Sequence, residues 1–197
     1  MGGAHESAHR AEHAEHVAVS NKKVALLISV LALFLAFSET LGKAAQTDAI
    51  SYNVEASNLW AFFQAKTIRM TAVRTAADAA QIELASINDP AVKAAKEKQI
   101  EAWRKDAARY DSEPETQEGR RELAARAKKA EEKRDTAMAK YHHFELASAA
   151  YQIGIVLASA TVITGMMILS YAAGALGLIG LVFMGIGVFA PHAVHLF

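Results

Sequence analysis

The sequence predicts an all-α membrane protein with three transmembrane helices and a long coiled-coil helical hairpin between the first and the second. Long apolar runs near both ends, an alanine-rich charged middle and a seven-residue apolar repeat in that middle predict this class. Of the 197 residues, 52% are hydrophobic. The 16 acidic and 18 basic residues between Lys43 and His142 contrast with none after Glu145. Polar and apolar parts of the chain are therefore separate.

The composition argues against several classes of function, and the chain divides into five predicted parts. The 21 basic residues balance the 21 acidic ones, which argues against nucleic acid as a partner of the whole chain. Cysteine is absent, which excludes disulfides, thiolate metal sites and thiol catalysis. The parts are a histidine-rich tail (1–21), a first transmembrane helix (22–42), a stalk (43–144), and the second and third transmembrane helices (145–172 and 173–197).

The first apolar run covers residues 24–41 and contains one charged residue, Glu39. Eighteen helical residues cover roughly the 30 Å of a bilayer core, and Lys22, Lys23 and Lys43 flank the run. The alternative is a secretory signal, against which the long leader argues. Glu39 lies two residues before the run ends, so it is either an interfacial carboxylate near Lys43 or an intramembrane polar site. Two lysines before the helix and one after favour a cytoplasmic tail, but counting all basic residues near the spans, four on the stalk side and three on the tail side, leaves the topology open.

The second apolar stretch, residues 146–197, is too long for one crossing and predicts two helices. The small residues 172–175 are the predicted turn between them. Glycines in this stretch predict close helix packing, and a gating hinge is the alternative. We assign Gly177 and Gly180 to an oligomer or partner interface.

Prolines divide the stalk into three predicted helices, 44–87, 91–110 and 115–143. Apolar residues alternate by four and three along the first of these helices, which is the pattern of a coiled-coil seam with one polar interruption, Lys66. The pattern returns in the later helices. The seam comprises Leu59, Phe63, Lys66, Met70, Val73, Ala77, Ala80, Leu84 and Ile87, then Ile100, Trp103, Ala107 and Tyr110, then Leu123, Ala127, Ala130, Arg134, Ala137, Tyr141 and Phe144.

One stretch of the stalk is apolar on more than one side and needs more than one neighbour. It contains Leu59, Trp60, Phe62 and Phe63. Either the helix after Pro114 covers it, or another copy of the chain does, and these two alternatives are compatible. We assign these four residues, with Met70, to an oligomer or partner interface.

The histidines are the candidate metal ligands. His5 to His9 reads H-E-x-x-H, the pattern of zinc proteases, but no surrounding fold supplies a third ligand. Four histidines recur at helical spacing and form a candidate metal site, namely His5, His9, His13 and His16. The alternative is a solvated helical or disordered tail that binds no metal. A second candidate cluster combines His142, His143, His192 and His195. No phosphate loop or nucleophile grouping is present in the sequence, so we expect neither an enzyme nor a cofactor.

Residues 55–66, which read EASNLWAFFQAK, together with residues 21–23 and 38–43, resemble a bacterial membrane-protein family catalogued as domain of unknown function 4337. The resemblance implies a multi-pass protein of the bacterial inner membrane and implies no activity. We expect a scaffold or adaptor that self-assembles through its stalk and glycine-rich helices. Its expected partners are the lipid bilayer, further copies of itself, or another membrane or peripheral protein. The alternative is an ion- or proton-handling transport component that uses Glu39 and the interfacial histidines.

Overall fold

The computed structural model describes the backbone of residues 3–194 and the side chains of residues 22–194. Its four α-helices are α1 (Gly3–Glu83), α2 (Pro90–Asp111), α3 (Arg120–Thr164) and α4 (Met167–Phe189), and a short 3₁₀ turn (Leu84–Ser86) ends α1. No strand occurs in this part of the chain. The prediction of an all-helical protein is confirmed. Three helices in the described residues are long and apolar enough to cross a membrane, namely α1 from residue 22 onward, α3 and α4.

The break between α1 and α2 lies where the sequence predicts it. The Asp89 side chain accepts hydrogen bonds from the backbone N–H groups of Ala91 and Val92, at 2.8 and 3.4 Å. Pro90 occupies the first helical position, where the missing N–H group costs nothing. An acidic cap followed by proline therefore starts α2.

The helix predicted to begin at residue 115 begins at Arg120 instead. Gln117 has a positive φ of 59°, which ends the turn after Pro114. The Glu122 carboxylate then accepts hydrogen bonds from the Ser112 hydroxyl (2.6 Å) and from the Glu113 N–H (3.1 Å). A Cβ at Gly119 would overlap this carboxylate and the Glu113 N–H. The later start thus results from a compact connection that is closed by Glu122 and requires glycine at 119.

The turn predicted at residues 172–175 is wrong, because these residues lie inside α4. The chain turns at Gly165, which has a φ of +71° and donates its N–H to the Thr161 carbonyl at 2.9 Å. Glycine adopts this left-handed conformation without a steric cost. The small residues allow close packing, since Ala173 is fully buried. The second predicted transmembrane helix, 145–172, therefore ends at Thr164. The third, predicted at 173–197, corresponds to Met167–Phe189.

The chain divides into two compact units. Unit 1 contains residues 1–48 and 136–197, and unit 2 contains Ala49–Asp135. In unit 1, α1 runs antiparallel to α3, because Ser38 contacts Phe144 and the earlier Leu31 lies beside Gly154. Likewise α3 runs antiparallel to α4, because Gly154 lies beside Ala173 and the earlier His143 lies beside Gly187. Its core cluster consists of Val24, Leu31, Ala147, Tyr151, Ala158 and Ala173.

In unit 2, the first part of α1 packs against α3, and the later part of α1 packs against α2. The first contact contains Ala56, Leu59, Leu123, Ala127 and Ala130, with Trp60 and Phe63 at its edge. The second contains Ala77, Ala80, Leu84 and Ile100, with Trp103 at its edge. Every residue of the predicted seam is buried or half-buried in the unit to which it belongs.

Candidate functional site

The apolar stretch around Trp60 is largely covered by its own chain. Leu59 is buried, and the Trp60 indole N–H donates to Glu131 Oε1 at 2.9 Å. Phe63 packs edge-on against Trp60, with ring centroids 5.4 Å apart. Phe62 remains 36% exposed. The helix after Pro114 therefore covers this stretch, which was one of the two alternatives raised by the sequence.

Lys66, the polar interruption of the seam, is a buried cation in unit 2. Its side chain is 8% exposed, and its Nζ lies 3.8 Å from carboxylate oxygens of Glu113 and Glu118. The same Nζ lies over the rings of Phe62 and Tyr110, at 5.3 and 5.6 Å from their centroids. A buried ammonium needs such compensation. Lys66 thus fastens the connection after α2 to α1, and sequence periodicity did not indicate this role.

The three other predicted interface residues, Met70, Gly177 and Gly180, are also buried within the chain. A Cβ added at Gly180 would lie 2.6 Å from Tyr151 Cε1, and one at Gly177 would lie 2.7 Å from Leu31 Cδ2. These glycines therefore hold α4 against its own neighbours. As packed, they are not surface residues that a second copy could contact.

Two buried polar groups of unit 1 were not singled out from the sequence. Ser38 is fully buried and donates to the Phe144 carbonyl at 2.8 Å, which ties α1 to α3. Tyr151 is fully buried and stacks near Phe34, with ring centroids 6.0 Å apart. Its hydroxyl has no hydrogen-bond partner among the described residues. Both groups lie in apolar sequence, and only the packing identifies them.

Glu39 lies at a groove of about 310 Å³ between α1 and α3. Its carboxylate is exposed and accepts a hydrogen bond from the Gln152 side-chain amide at 3.2 Å. On the facing helix, the Tyr141 hydroxyl donates to Glu145 at 3.3 Å. The groove is lined by Ser38, Glu39, Gly42, Lys43, Gln46, Tyr141, Phe144, Glu145 and Ser148. It combines charged and apolar walls at the end of the first apolar run.

The histidines of the second predicted cluster have separate contacts. His143 is 1% exposed and its Nε2 lies 3.2 Å from the Pro191 carbonyl oxygen. His192 Nε2 lies 3.0 Å from Thr136 Oγ1, and His142 Nδ1 lies 3.8 Å from Glu145. Between residues 22 and 194 no three histidine or acidic side chains are grouped as a metal site would require.

The remaining predicted ligands lie outside the described side chains. These are His195 and the four tail histidines, His5, His9, His13 and His16. The backbone of the tail histidines belongs to α1. A metal site in the tail stays a prediction.

The outer surface of unit 1 is apolar on all three of its helices. Large hydrophobic side chains that are well exposed include Leu26 and Leu33 on α1, Ile153, Val156 and Ile163 on α3, and Ile168, Tyr171, Leu178, Val182 and Phe189 on α4. Exposed large hydrophobic residues in unit 2 are fewer and are separated along the helices. The two units therefore have surfaces suited to different surroundings.

Neither the curated proteins nor the solved structures gave a match to this chain. Residues 20–190 match the family described as Domain of unknown function (DUF4337). Because the match includes both apolar ends and the whole of unit 2, the chain belongs to this family.

Proposed function

We propose that this protein is an integral membrane scaffold that self-assembles. In this proposal the three apolar helices of unit 1 cross the bilayer, and unit 2 is a coiled-coil hairpin stalk outside the lipid. The apolar outer surface of unit 1 is the observation that supports membrane insertion, on which the proposal depends. Monomeric soluble proteins rarely expose a contiguous apolar area of more than a few hundred Å².

The exposure of individual side chains in unit 1 supports insertion. Phe189 is 87% exposed, Ile163 85% and Tyr171 70%. No acidic or basic residue follows Glu145, so α4 and the apolar part of α3 carry no side-chain charge to desolvate. Helices also satisfy their own backbone hydrogen bonds, as a bilayer core requires.

The contacts inside unit 2 support a hairpin. Trp60 pairs with Glu131, and Tyr52 lies under Lys133, whose Nζ is 5.3 Å from the ring centroid. Farther along α1, Arg104 donates to Gln81 at 3.2 Å. Partners later in α1 are thus earlier in α2 and α3, which is the antiparallel order of a helical hairpin. Alanine at many seam positions suits closely packed helices.

The polar groups inside unit 2 support a structural role for it. Lys66 compensates two carboxylates, and Glu122 closes the connection before α3. Each of these charges holds the connection between α2 and α3 to one of the helices. A scaffold needs this rigidity and needs no reactive centre.

Single-cysteine labelling tests the membrane proposal directly, because the natural chain contains no cysteine. Leu26→Cys, Ile153→Cys and Leu178→Cys place a thiol on the exposed apolar face of each of the three helices. We expect these variants to resist a water-soluble maleimide in native membranes and to react after detergent denaturation. Lys98→Cys, an exposed position in unit 2, is the matched control and should react without detergent. Rapid labelling of all three apolar positions in intact membranes would refute insertion.

A second candidate function is ion or proton handling by Glu39 and the interfacial histidines. The groove beside Glu39 supports it, since both Glu39 and Glu145 lie on its wall. In that case Glu39→Gln abolishes a flux across proteoliposomes and leaves the mass of the assembly unchanged. Equal flux in the wild type, the variant and protein-free liposomes would exclude this function.

A further inference from the structure

We propose that a second copy of this chain packs in parallel and in register against the outer side of α1 in unit 2. The proposal rests on the self-assembly proposed above and names its surface. We call this surface the outer stripe. It comprises Val54, Asn58, Ala61, Ala65, Ile68, Ala72, Thr75, Ala79 and Ile82.

The outer stripe is a second heptad repeat, separate from the seam that packs inside the chain. Its positions alternate by four and three over four heptads, about 42 Å of helix. From Ala61 onward, each lies two residues after a seam position, as Ala61 follows Leu59. Two residues correspond to about 200° around the helix. The outer stripe therefore lies on the side of α1 that faces away from α2 and α3.

Every residue of the outer stripe is exposed in the single chain. Ile82 is 77% exposed, Ile68 69% and Val54 53%. Four alanines and one threonine separate these larger side chains, so another helix could approach closely. Sustained heptads of this length are sufficient for a coiled coil.

The distribution of charge within unit 2 also singles out α1. Ten of the 22 residues of α2 are charged, as are 11 of the 16 residues at 120–135 in α3. Only six of the 35 residues at 49–83 in α1 are charged, and none of the six belongs to the outer stripe. The exposed sides of α2 and α3 thus suit water, whereas the outer stripe suits a helix.

Asn58 identifies the occupant as a second copy in register. It is the only residue of the outer stripe with a side-chain amide, and an amide both donates and accepts hydrogen bonds. In a parallel, in-register pair the two Asn58 side chains face and satisfy each other. In a shifted register each amide would face alanine or a β-branched side chain. A single buried asparagine is known to fix register and helix number in this way.

Parallel pairing agrees with the proposed anchoring of the copies. Copies anchored in one membrane by the same spans present their stalks in the same direction. In this arrangement Gln64 approaches Arg69 of the partner subunit. Asp78 approaches the partner's Glu83, and Lys96, which pairs with Glu83 in its own chain, offsets that repulsion.

Disulfide formation between single-cysteine variants of the full chain in membranes tests this geometry. We expect Val54→Cys, Ile68→Cys and Ile82→Cys each to form dimers with itself under mild oxidation. Lys98→Cys and Lys128→Cys, exposed on α2 and α3, are controls that should remain monomeric. A mixture of the 54 and 82 variants should give no mixed dimer. A dominant mixed dimer would overturn the proposal, because it requires antiparallel helices.

A charge substitution separates this inference from the broader proposal. Ile68→Glu places a carboxylate in the middle of the outer stripe, and we expect the mass in nanodiscs to fall from two copies to one. Val92→Glu is the matched control, since Val92 is 52% exposed on α2, and should leave the mass unchanged. A two-copy mass for the Ile68 variant would show that the outer stripe is not the interface, and the broader proposal of self-assembly would remain. A monomeric wild type would overturn both.

Discussion

At the scale of single residues, Gly180 provides the sharpest test of packing in unit 1. A methyl group there would meet the ring of Tyr151, a fully buried residue that cannot swing away freely. We expect Gly180→Ala to lower the stability of the protein by about 1–3 kcal/mol, the usual cost of overpacking. Thermal unfolding in detergent, followed by helical circular dichroism, measures the change. Gly174→Ala is the control, because nothing lies within 4 Å of its added methyl group. Equal melting temperatures for the two variants would contradict the observed contact.

Glu122 is a residue whose ionisation should affect stability in unit 2. The hydrogen bond from Ser112 lowers the pKa of Glu122 from its usual 4.5, against a smaller opposing effect of burial. A lowered folded-state pKa means that the charged form stabilises the fold. That contribution is complete well above pH 4.5 and is lost as the pH falls through the folded-state pKa.

Acidification should therefore reduce the melting temperature less in Glu122→Gln than in the wild type. The measurement compares unfolding at pH 7 and at pH 3 for both proteins. Glu115→Gln changes an exposed carboxylate in the same connection and should retain the wild-type pH dependence. A Glu122 variant with the full wild-type loss would show that this carboxylate contributes nothing.

At the scale of the elements, the connection between α3 and α4 depends on one backbone conformation. Gly165 has a φ of +71°, and nothing lies within 4 Å of a Cβ added there. A substitution therefore tests backbone strain without a steric clash. We expect Gly165→Ala to cost about 1 kcal/mol and Gly165→Asn to cost less, since asparagine tolerates the left-handed region better. Melting temperatures in detergent would rank the three proteins, and an alanine variant as stable as the wild type would contradict the strain.

The elements also show which parts of the structure a sequence can predict. The seam was predictable because burial along a helix repeats every 3.5 residues, and even Lys66 follows the period. The turn at Gly165 was not predicted because glycine has two roles that the sequence does not distinguish. It allows close packing within a helix, and it also allows the backbone conformation at which the chain reverses. Residues 172–175 were mistaken for a turn for the same reason. Only the three-dimensional structure shows whether a given small residue packs a helix or forms a turn.

Site residues were predicted less well than elements, and the reason is also physical. Trp60 and Phe63 were identified as a surface that needs a neighbour, which the structure supplies from α3. Ser38 and Tyr151 lie in sequence that reads as uniformly apolar, so their burial has no periodic signal. The outer stripe escaped notice because its alanines and threonine are weakly apolar. Its heptad repeat is recognisable once the structure shows which positions of α1 are covered by α2 and α3 and which remain exposed.

At the scale of the whole molecule, three crossings would place Lys22 and Val194 on opposite sides of a membrane. Within unit 1 the end of α4 lies beside the start of the α3 segment, since His192 contacts Thr136 and the Pro191 carbonyl contacts His143. Lys22 precedes the first apolar run, at the other end of the antiparallel helices. We therefore expect Val194→Cys and Lys98→Cys to react with an impermeant maleimide from the same side.

Lys22→Cys should react from the opposite side. Right-side-out and inverted vesicles, labelled in parallel, give each cysteine's position relative to the membrane without any assumption about which compartment it faces. The number of crossings is odd in this proposal, so labelling of Lys22→Cys and Val194→Cys from one side would require an even number. That result would mean that one of the three apolar helices lies along the membrane surface or packs against protein. Labelling from opposite sides is the result that three crossings predict.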